Sequence, residues 1–198
     1  MKKALAIFDF DGTISNNDSL KDYLRFCEGG WNFFLKYYLL FTFDLIKCLF
    51  NKNLFLKLKT NRMKLFFRNK NVDFLLLKAD EYYKSKFKNI LKSSAIKRLE
   101  WHRSMNHEIV ILSASLDIIL EKWCEENDFY LITNKLQIKE NKFTGNLIEL
   151  DCNGEQKVVK LLEKFNLNDY DETYGYGDTK GDLDFLELVD KKYYQYFK

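Results

Sequence analysis

The sequence predicts an α/β protein built on a doubly wound parallel sheet, with a small all-helical insertion after the first strand. Three observations predict it. "KALAIF" (Lys3 to Phe8) is a short apolar run closed by a turn signal, which reads as a buried strand. From about residue 16 to 92 the patterning is helical, and no strong strand signal interrupts it. After Ser93 strand-like and helix-like runs alternate, as they do when parallel strands are covered on both faces. This organisation is Rossmann-like.

Taken in order, Asp18 or Ser19 is placed to cap a helix over "LKDYLRFCEG", and Gly29-Gly30 ends it. In the next run Trp31, Phe34, Leu35, Tyr38, Phe41, Leu45 and Leu49 recur near helical spacing. Two further helical runs reach about Leu91. "SAIKRLEWHRSMN" then reads as helix, "EIVILSAS" as a buried strand, "LDIILEKWCEEN" as helix and "FYLIT" as strand. "LQIKENKFTGNLIEL" reads as a hairpin with Asn-Lys between its arms. "GEQKVVKLLEKFN" is helix, "ETYGYG" a short strand, "KGDLDFLELV" helix and "KYYQYF" a last strand.

The bulk numbers exclude several classes. A chain of 198 residues that is 46% hydrophobic and 31% charged is globular rather than disordered. A net charge of +3 is too balanced for a nucleic-acid partner. Cys27, Cys48, Cys124 and Cys152 form no CxxC pair, which suits a reduced, cytoplasmic protein better than a disulfide framework. The apolar run in "MKKALAIFDFDG" is too short for a signal peptide. The run at 31–50 approaches the length of a membrane span, but Lys36, Asp44 and Lys47 interrupt it. A buried amphipathic helix is the favoured reading, and a surface that touches lipid is the lesser one. "LKLKTNRMKLFFRNK" reads as a solvated face of the insertion.

Ligands of doubly wound sheets bind beyond the carboxyl ends of the strands. Asp9 and Asp11 lie there after the first strand, and Ser113 ends "EIVIL". Asp178 and Asp182 follow another strand, and Lys157 begins the helix before it. Two carboxylates as close as Asp9 and Asp11 cost free energy unless solvent screens them or a cation lies between them. Each residue also has a plainer reading. Ser113 would cap the helix over "LDIIL", Asp182 would be helix-surface charge, and Lys160 competes with Lys157. His102 and His107 have no companions at metal-ligand spacing and read as non-catalytic.

"DFDGTI", "ILSAS", "GEQKVVKL" and "GDTKGD", in this order, resemble the four motifs of the haloacid dehalogenase superfamily of phosphohydrolases. The resemblance covers essentially the whole chain. It implies a catalytic core of residues 1–15 and 93–198 and a helical cap of 16–92, as in the branch that includes phosphoserine phosphatase. It implies Asp9 as the nucleophile of an aspartyl-phosphate mechanism and Asp11 as general acid and then base. Thr13, Ser113, Ala114 and Lys157 would bind the phosphoryl group. Mg²⁺ would be held by Asp9, the backbone carbonyl of Asp11 and Asp178, with Asp182 supporting that shell. The second aspartate separates hydrolases from superfamily members that need no proton on a leaving oxygen, so a phosphatase is expected.

The implied substrate is a small organic phosphate. Asp18 stands where phosphoserine phosphatase has a glutamate that meets the substrate's amine, which points to an amino-alcohol or amino-acid phosphate. A helix N-cap is the equal alternative for Asp18. Arg62 and Arg68 are candidates for a substrate carboxylate, though neither fits the local pattern well. "SAS" replaces Ser-Gly-Gly, which counts against phosphoserine itself. Resemblance to phosphatidylglycerophosphatase C makes a phospholipid head group the alternative substrate. A phosphate- or membrane-binding module without turnover is the second alternative.

Overall fold

The computed structural model describes residues 3–39 and 62–197. Its centre is β1 (Ala4–Phe8), buried along its whole length. β1 pairs in parallel with β2 (Glu108–Leu116) on one side and β6 (Glu172–Gly177) on the other. β3 (Tyr130–Asn134) continues the sheet beyond β2, and β7 (Lys191–Tyr194) continues it beyond β6. The sheet has five strands in the order β3-β2-β1-β6-β7, and every pair is parallel. Because both faces are covered, β1 is continuously apolar rather than alternating. Its alternate residues enter different cores. Ala4, Ala6 and Phe8 join one cluster, and Leu5 and Ile7 join the other.

Between β1 and β2 run α1 (Ser19–Glu28), α2 (Gly30–Phe34), α3 (62–67) and α4 (Val72–Ser85). Asp18 caps α1 by accepting the Lys21 amide at 2.8 Å, and Gly29 ends it at φ 77°. Asn71 caps α4 through the Phe74 amide. Tyr23 donates to the Leu75 carbonyl and Tyr82 to Asp22, tying α1 to α4. The insertion shares its core with the sheet. Phe10, Phe87, Trp123, Tyr23 and Tyr82 belong to one buried cluster that starts at β1. Such a shared core stabilises the insertion against the body, since each buried aromatic removes a large apolar area from water. The part of the expected helical run at 40–61 lies outside the described residues.

α5 (Ser93–Ser104) and α6 (Asp117–Asn127) cover the same face as the insertion, through Ala95, Leu99, Leu120 and Trp123. α7 (Glu155–Leu162) and α8 (Leu183–Leu186) cover the other, through Leu161, Phe185 and Leu186. The run read as one helix from Lys180 is a single 3₁₀ turn (Lys180–Asp182) followed by α8.

β4 (Leu136–Lys139) and β5 (Lys142–Leu147) form the hairpin. Its turn residues are Glu140 and Asn141, at φ 51° and 55°, not the expected Asn-Lys. Two consecutive left-handed residues make a type I′ turn, whose twist matches the strands, so Lys142 is released to pair with Lys139. The hairpin docks on the insertion. Phe143 exchanges backbone hydrogen bonds with Asn69 and Lys70, and the Val72 amide reaches the Asn141 carbonyl. Among the described residues no helix is long and apolar enough to cross a membrane.

Candidate active site

β1 delivers Asp9 to the carboxyl edge of the sheet, where the Asp9 amide donates to the Tyr176 carbonyl of β6. Immediately afterwards the chain turns at Gly12, whose φ is 82°. A Cβ there would stand 2.3 Å from Asp178 Oδ2, so the absent side chain lets the two loops touch. Thr13 Oγ1 donates to Asp178 Oδ1 at 3.1 Å and fixes the second loop to the first.

Lys157, in the first turn of α7, is buried and places Nζ 2.5 Å from Asp9 Oδ1 and 2.6 Å from Asp182 Oδ1. Lys160 is turned away, and its ammonium pairs with Glu149 at 2.9 Å. Geometry therefore selects Lys157 of the two. Asp182 is buried rather than a surface charge. Its Oδ1 takes Lys157, and its Oδ2 accepts from the Asp178 amide and from the Thr179 amide and hydroxyl. Both oxygens are thus engaged, and Asp182 braces the site from behind.

Asp9 Oδ2 is different: it is buried and has no hydrogen-bond partner. An orphaned carboxylate oxygen in the interior costs free energy. Carboxylate oxygens of Asp9, Asp178 and Asp182 lie within 4.8 Å of one another. A hard divalent cation takes such an all-oxygen donor set, and it would satisfy the orphaned atom, so the residues fit Mg²⁺.

The titrations follow from the surroundings. Burial pushes the Asp9 carboxyl up to about 6; Lys157 opposes the rise, while Asp182 and Asp178 add to it. Burial and the Asp18 charge push Asp11 up to about 7, against the hydrogen bond from the Ser19 amide at 2.7 Å. Burial also raises Asp178. For Asp182 burial acts upward, but Lys157 and Thr179 outweigh it and hold the carboxyl below its ordinary range. Burial disfavours charged Lys157, yet Asp9 and Asp182 hold its pKa above the ordinary value.

The remaining expected residues are less closely joined. Ser113 is buried within β2, three residues before its end, and its hydroxyl accepts the Ser115 amide at 3.1 Å. It does not cap α6, whose N-cap is Leu116. The Ala114 carbonyl accepts from Asn134. Asp18 is exposed and serves as the α1 cap, close enough to Asp11 to act on its charge. Arg62 lies on the Tyr37 ring, and Arg68 lines a groove against the hairpin. His102 sits behind the sheet, bonded to His107 and to the Tyr176 hydroxyl; burial, with the Arg98 charge, pushes it down to about 3.

Three contributors escape a reading of single residues. Thr179 forms a capping box with Asp182, and "TKGD" has the spacing that signals one. Ser19 lends Asp11 its backbone amide, which no side-chain pattern announces. Lys92 donates to the carbonyls of Gly12 and Phe197, joining the loop after β1 to the C-terminal segment.

Known proteins are similar to this chain in sequence and in fold. Protein CicA of Caulobacter vibrioides is 29% identical over 98% of this chain and 86% of its own. A protein of unknown function from Bordetella pertussis Tohama I superposes with a TM-score of 0.77 at 18% identity, covering 97% of this chain and 89% of that one. A substrate-bound phosphoserine phosphatase superposes at 0.60 with 20% identity, covering 98% and 86%. At such identities the structural likenesses establish the fold. The match that spans residues 6–187, from β1 past Asp182, makes the chain a member of the haloacid dehalogenase-like hydrolase family.

Proposed function

We propose that the protein is a Mg²⁺-dependent phosphomonoester hydrolase that works through an aspartyl-phosphate on a small organic phosphate. The observation that carries this reading is Asp9: one oxygen held by buried Lys157, the other buried and unpartnered beside two more carboxylates. Likeness to phosphoserine phosphatases supports the phosphatase direction.

Asp9 attacks phosphorus, forming a carboxylate–phosphorus bond as the ester oxygen departs. Asp11 gives its proton to that oxygen. It then takes a proton from the water that attacks the aspartyl-phosphate, which releases inorganic phosphate and restores Asp9. A carboxyl at about 7 suits both tasks near neutral pH. The Ser19 amide holds Asp11 in place for them. Asp9, the Asp11 carbonyl and Asp178 would hold Mg²⁺, which when bound offsets the repulsion between a phosphate dianion and a carboxylate. Lys157, Thr13, Ser113 and Ala114 cradle the phosphoryl oxygens. Asp182 keeps Lys157 charged and the Asp178 loop closed.

Residues 1–15 and 93–198 are the catalytic core in this reading, and 16–92 the cap. The negative charge of Asp18 beside Asp11 favours a substrate bearing an amine, of the amino-alcohol or amino-acid phosphate type. Free thiols at Cys27 and Cys124 suit a cytoplasmic location.

The test is phosphate release, with and without Mg²⁺, from phosphoserine, amino-alcohol phosphates, sugar phosphates and phosphatidylglycerophosphate, with Asp9→Asn as the blank. Mg²⁺-dependent release from amine-bearing esters, absent in the variant, is expected. Release that survives Asp9→Asn overturns the mechanism, and release from the lipid alone overturns the substrate class.

A further inference from the structure

The charge of this chain is unevenly placed. Residues 31–70 contain nine basic residues and one acidic residue, although the whole chain balances at +3. Among the described residues, Lys64 and Arg68 of this stretch line a groove with Lys139 and Lys142 of the hairpin. The groove encloses about 480 Å³, and its one acidic lining residue is Glu140. Among the described residues none of the four cations has an ion-pair partner, whereas Lys36 and Lys70 nearby are paired with Glu28. The groove is built rather than incidental. Gly145 packs so closely on the Lys64 backbone that a Cβ would come within 2.6 Å, and the Asn69–Phe143–Lys70 hydrogen bonds fix the two walls.

On the other flank of α3 lies an apolar face. α2 and the turn after it pack Phe33 and Tyr37 against Phe66 of α3. Their opposite side exposes Trp31 (76%), Phe34 (52%), Leu35 (42%) and Tyr38 (40%), at the helical spacing of one stripe. The rings form a row, with Trp31–Phe34 centroids 6.0 Å apart and Phe34–Tyr38 centroids 4.8 Å apart. Lys21 stands over Tyr37 and Tyr38 at the rim of this row. Leu65 of α3 is exposed, between Lys64 of the helix and Arg68 just after it.

We infer that this lobe is a docking surface for an anionic lipid bilayer. Trp and Tyr prefer the membrane–water boundary, where an amphipathic ring meets both phases. Unpaired basic residues elsewhere on the same lobe, in the groove between α3 and the hairpin, complement anionic head groups, and each strengthens binding roughly fivefold at low salt. Protein interfaces select differently, enriching aromatics but depleting lysine. Three lysines in a row of four cations therefore fit head groups better than a protein partner. The inference concerns binding and stands apart from the catalytic reading.

The test is sedimentation of the full chain with vesicles of phosphatidylcholine, with and without phosphatidylglycerol, at low and high salt. Binding is expected only with the anionic lipid, and high salt should release it. Combined Lys64→Ala, Arg68→Ala, Lys139→Ala and Lys142→Ala substitution should weaken it at least tenfold. Trp31→Ala with Phe34→Ala should also weaken it and should abolish quenching of tryptophan emission by brominated lipid. All these side chains are exposed, and circular dichroism should show each variant folded. Asp9→Asn should bind like wild type, which separates this result from any failure of the catalytic reading. No binding to anionic vesicles overturns the inference. So does binding that both sets of variants leave unchanged, equal capture by heparin beads, or a dimer in solution that Trp31→Ala dissolves.

Discussion

The ammonium of Lys157 lies 2.5 Å from the carboxylate of Asp9, and water scarcely reaches either group. Removing one partner of a buried pair strands the other charge, at a cost of about 3–5 kcal/mol. Here the loss also leaves Asp9 and Asp182 facing one another without a cation. Lys157→Met should therefore lower the urea midpoint and cut kcat by about 10²–10³-fold, the usual scale for one lost charge-stabilising donor. Unfolding and steady-state kinetics on one preparation check both. An active variant with unchanged stability would remove Lys157 from the site.

Gly12 offers a steric test. Its φ of 82° is strained for any side chain, and a Cβ would meet Asp178 Oδ2 at 2.3 Å. Gly12→Ala should cost about 1–3 kcal/mol in stability and at least tenfold in kcat, because Asp178 must retreat. Thr13→Val, which removes only the hydroxyl bond to Asp178, should leave the melting temperature closer to wild type while still raising the Mg²⁺ concentration needed for half-maximal rate.

Asp11 predicts a direction with pH. Its folded pKa of about 7 exceeds its ordinary 3.8, so between those values the folded chain holds a proton that the unfolded chain has lost. The contribution of this group to stability therefore falls as pH rises through that window. Asp11→Asn keeps an oxygen for the Ser19 amide but has no such proton. In metal-free urea melts, wild-type stability relative to Asp11→Asn should decline steadily from about pH 4 to about pH 7. A flat difference would contradict the raised pKa.

Asp18 separates two roles by its variants. As the α1 cap it contributes about 1 kcal/mol, which Asp18→Ser should retain and Asp18→Ala should lose. As a partner for a substrate amine it acts through charge, which both variants lose. With amine-bearing esters KM should rise for both, while with sugar phosphates neither should change it. Equal KM values across the esters would leave Asp18 only its structural task.

Much of this was legible in the sequence where local pattern and tertiary environment agree. "ETYGYG" becomes β6 residue for residue, because the stretch from Thr173 to Gly177 is buried between neighbouring parallel strands and a turn follows it. The Asp9–Asp178–Asp182 grouping follows from strand ends meeting one edge of a parallel sheet. Choosing Lys157 over Lys160 was not settled by pattern: both are largely buried, and only their separate partners, Asp9 and Glu149, distinguish them. The hairpin turn slipped by one residue because Asn141 tolerates left-handed backbone equally well at either turn position. His102 and His107 had no legible relation, since a helix end and a loop residue bring their Nδ1 atoms to 2.8 Å.

The central place of β1 has a consequence for the order in which this protein is made. The strand that leads into Asp9 is synthesised before both of its neighbours, which come from residues 108–111 and 172–176. Pairings of such long sequence separation form slowly. Until the roughly hundred residues between β1 and β2 have emerged, a five-residue strand of Ala, Leu, Ile and Phe has both edges open and two apolar faces bare. The insertion that follows it shares its core through Phe10, so the helices made next are the earliest shelter for that strand. Lys157 and Asp182 arrive last, and until they do the carboxylate of Asp9 has no reason to be buried.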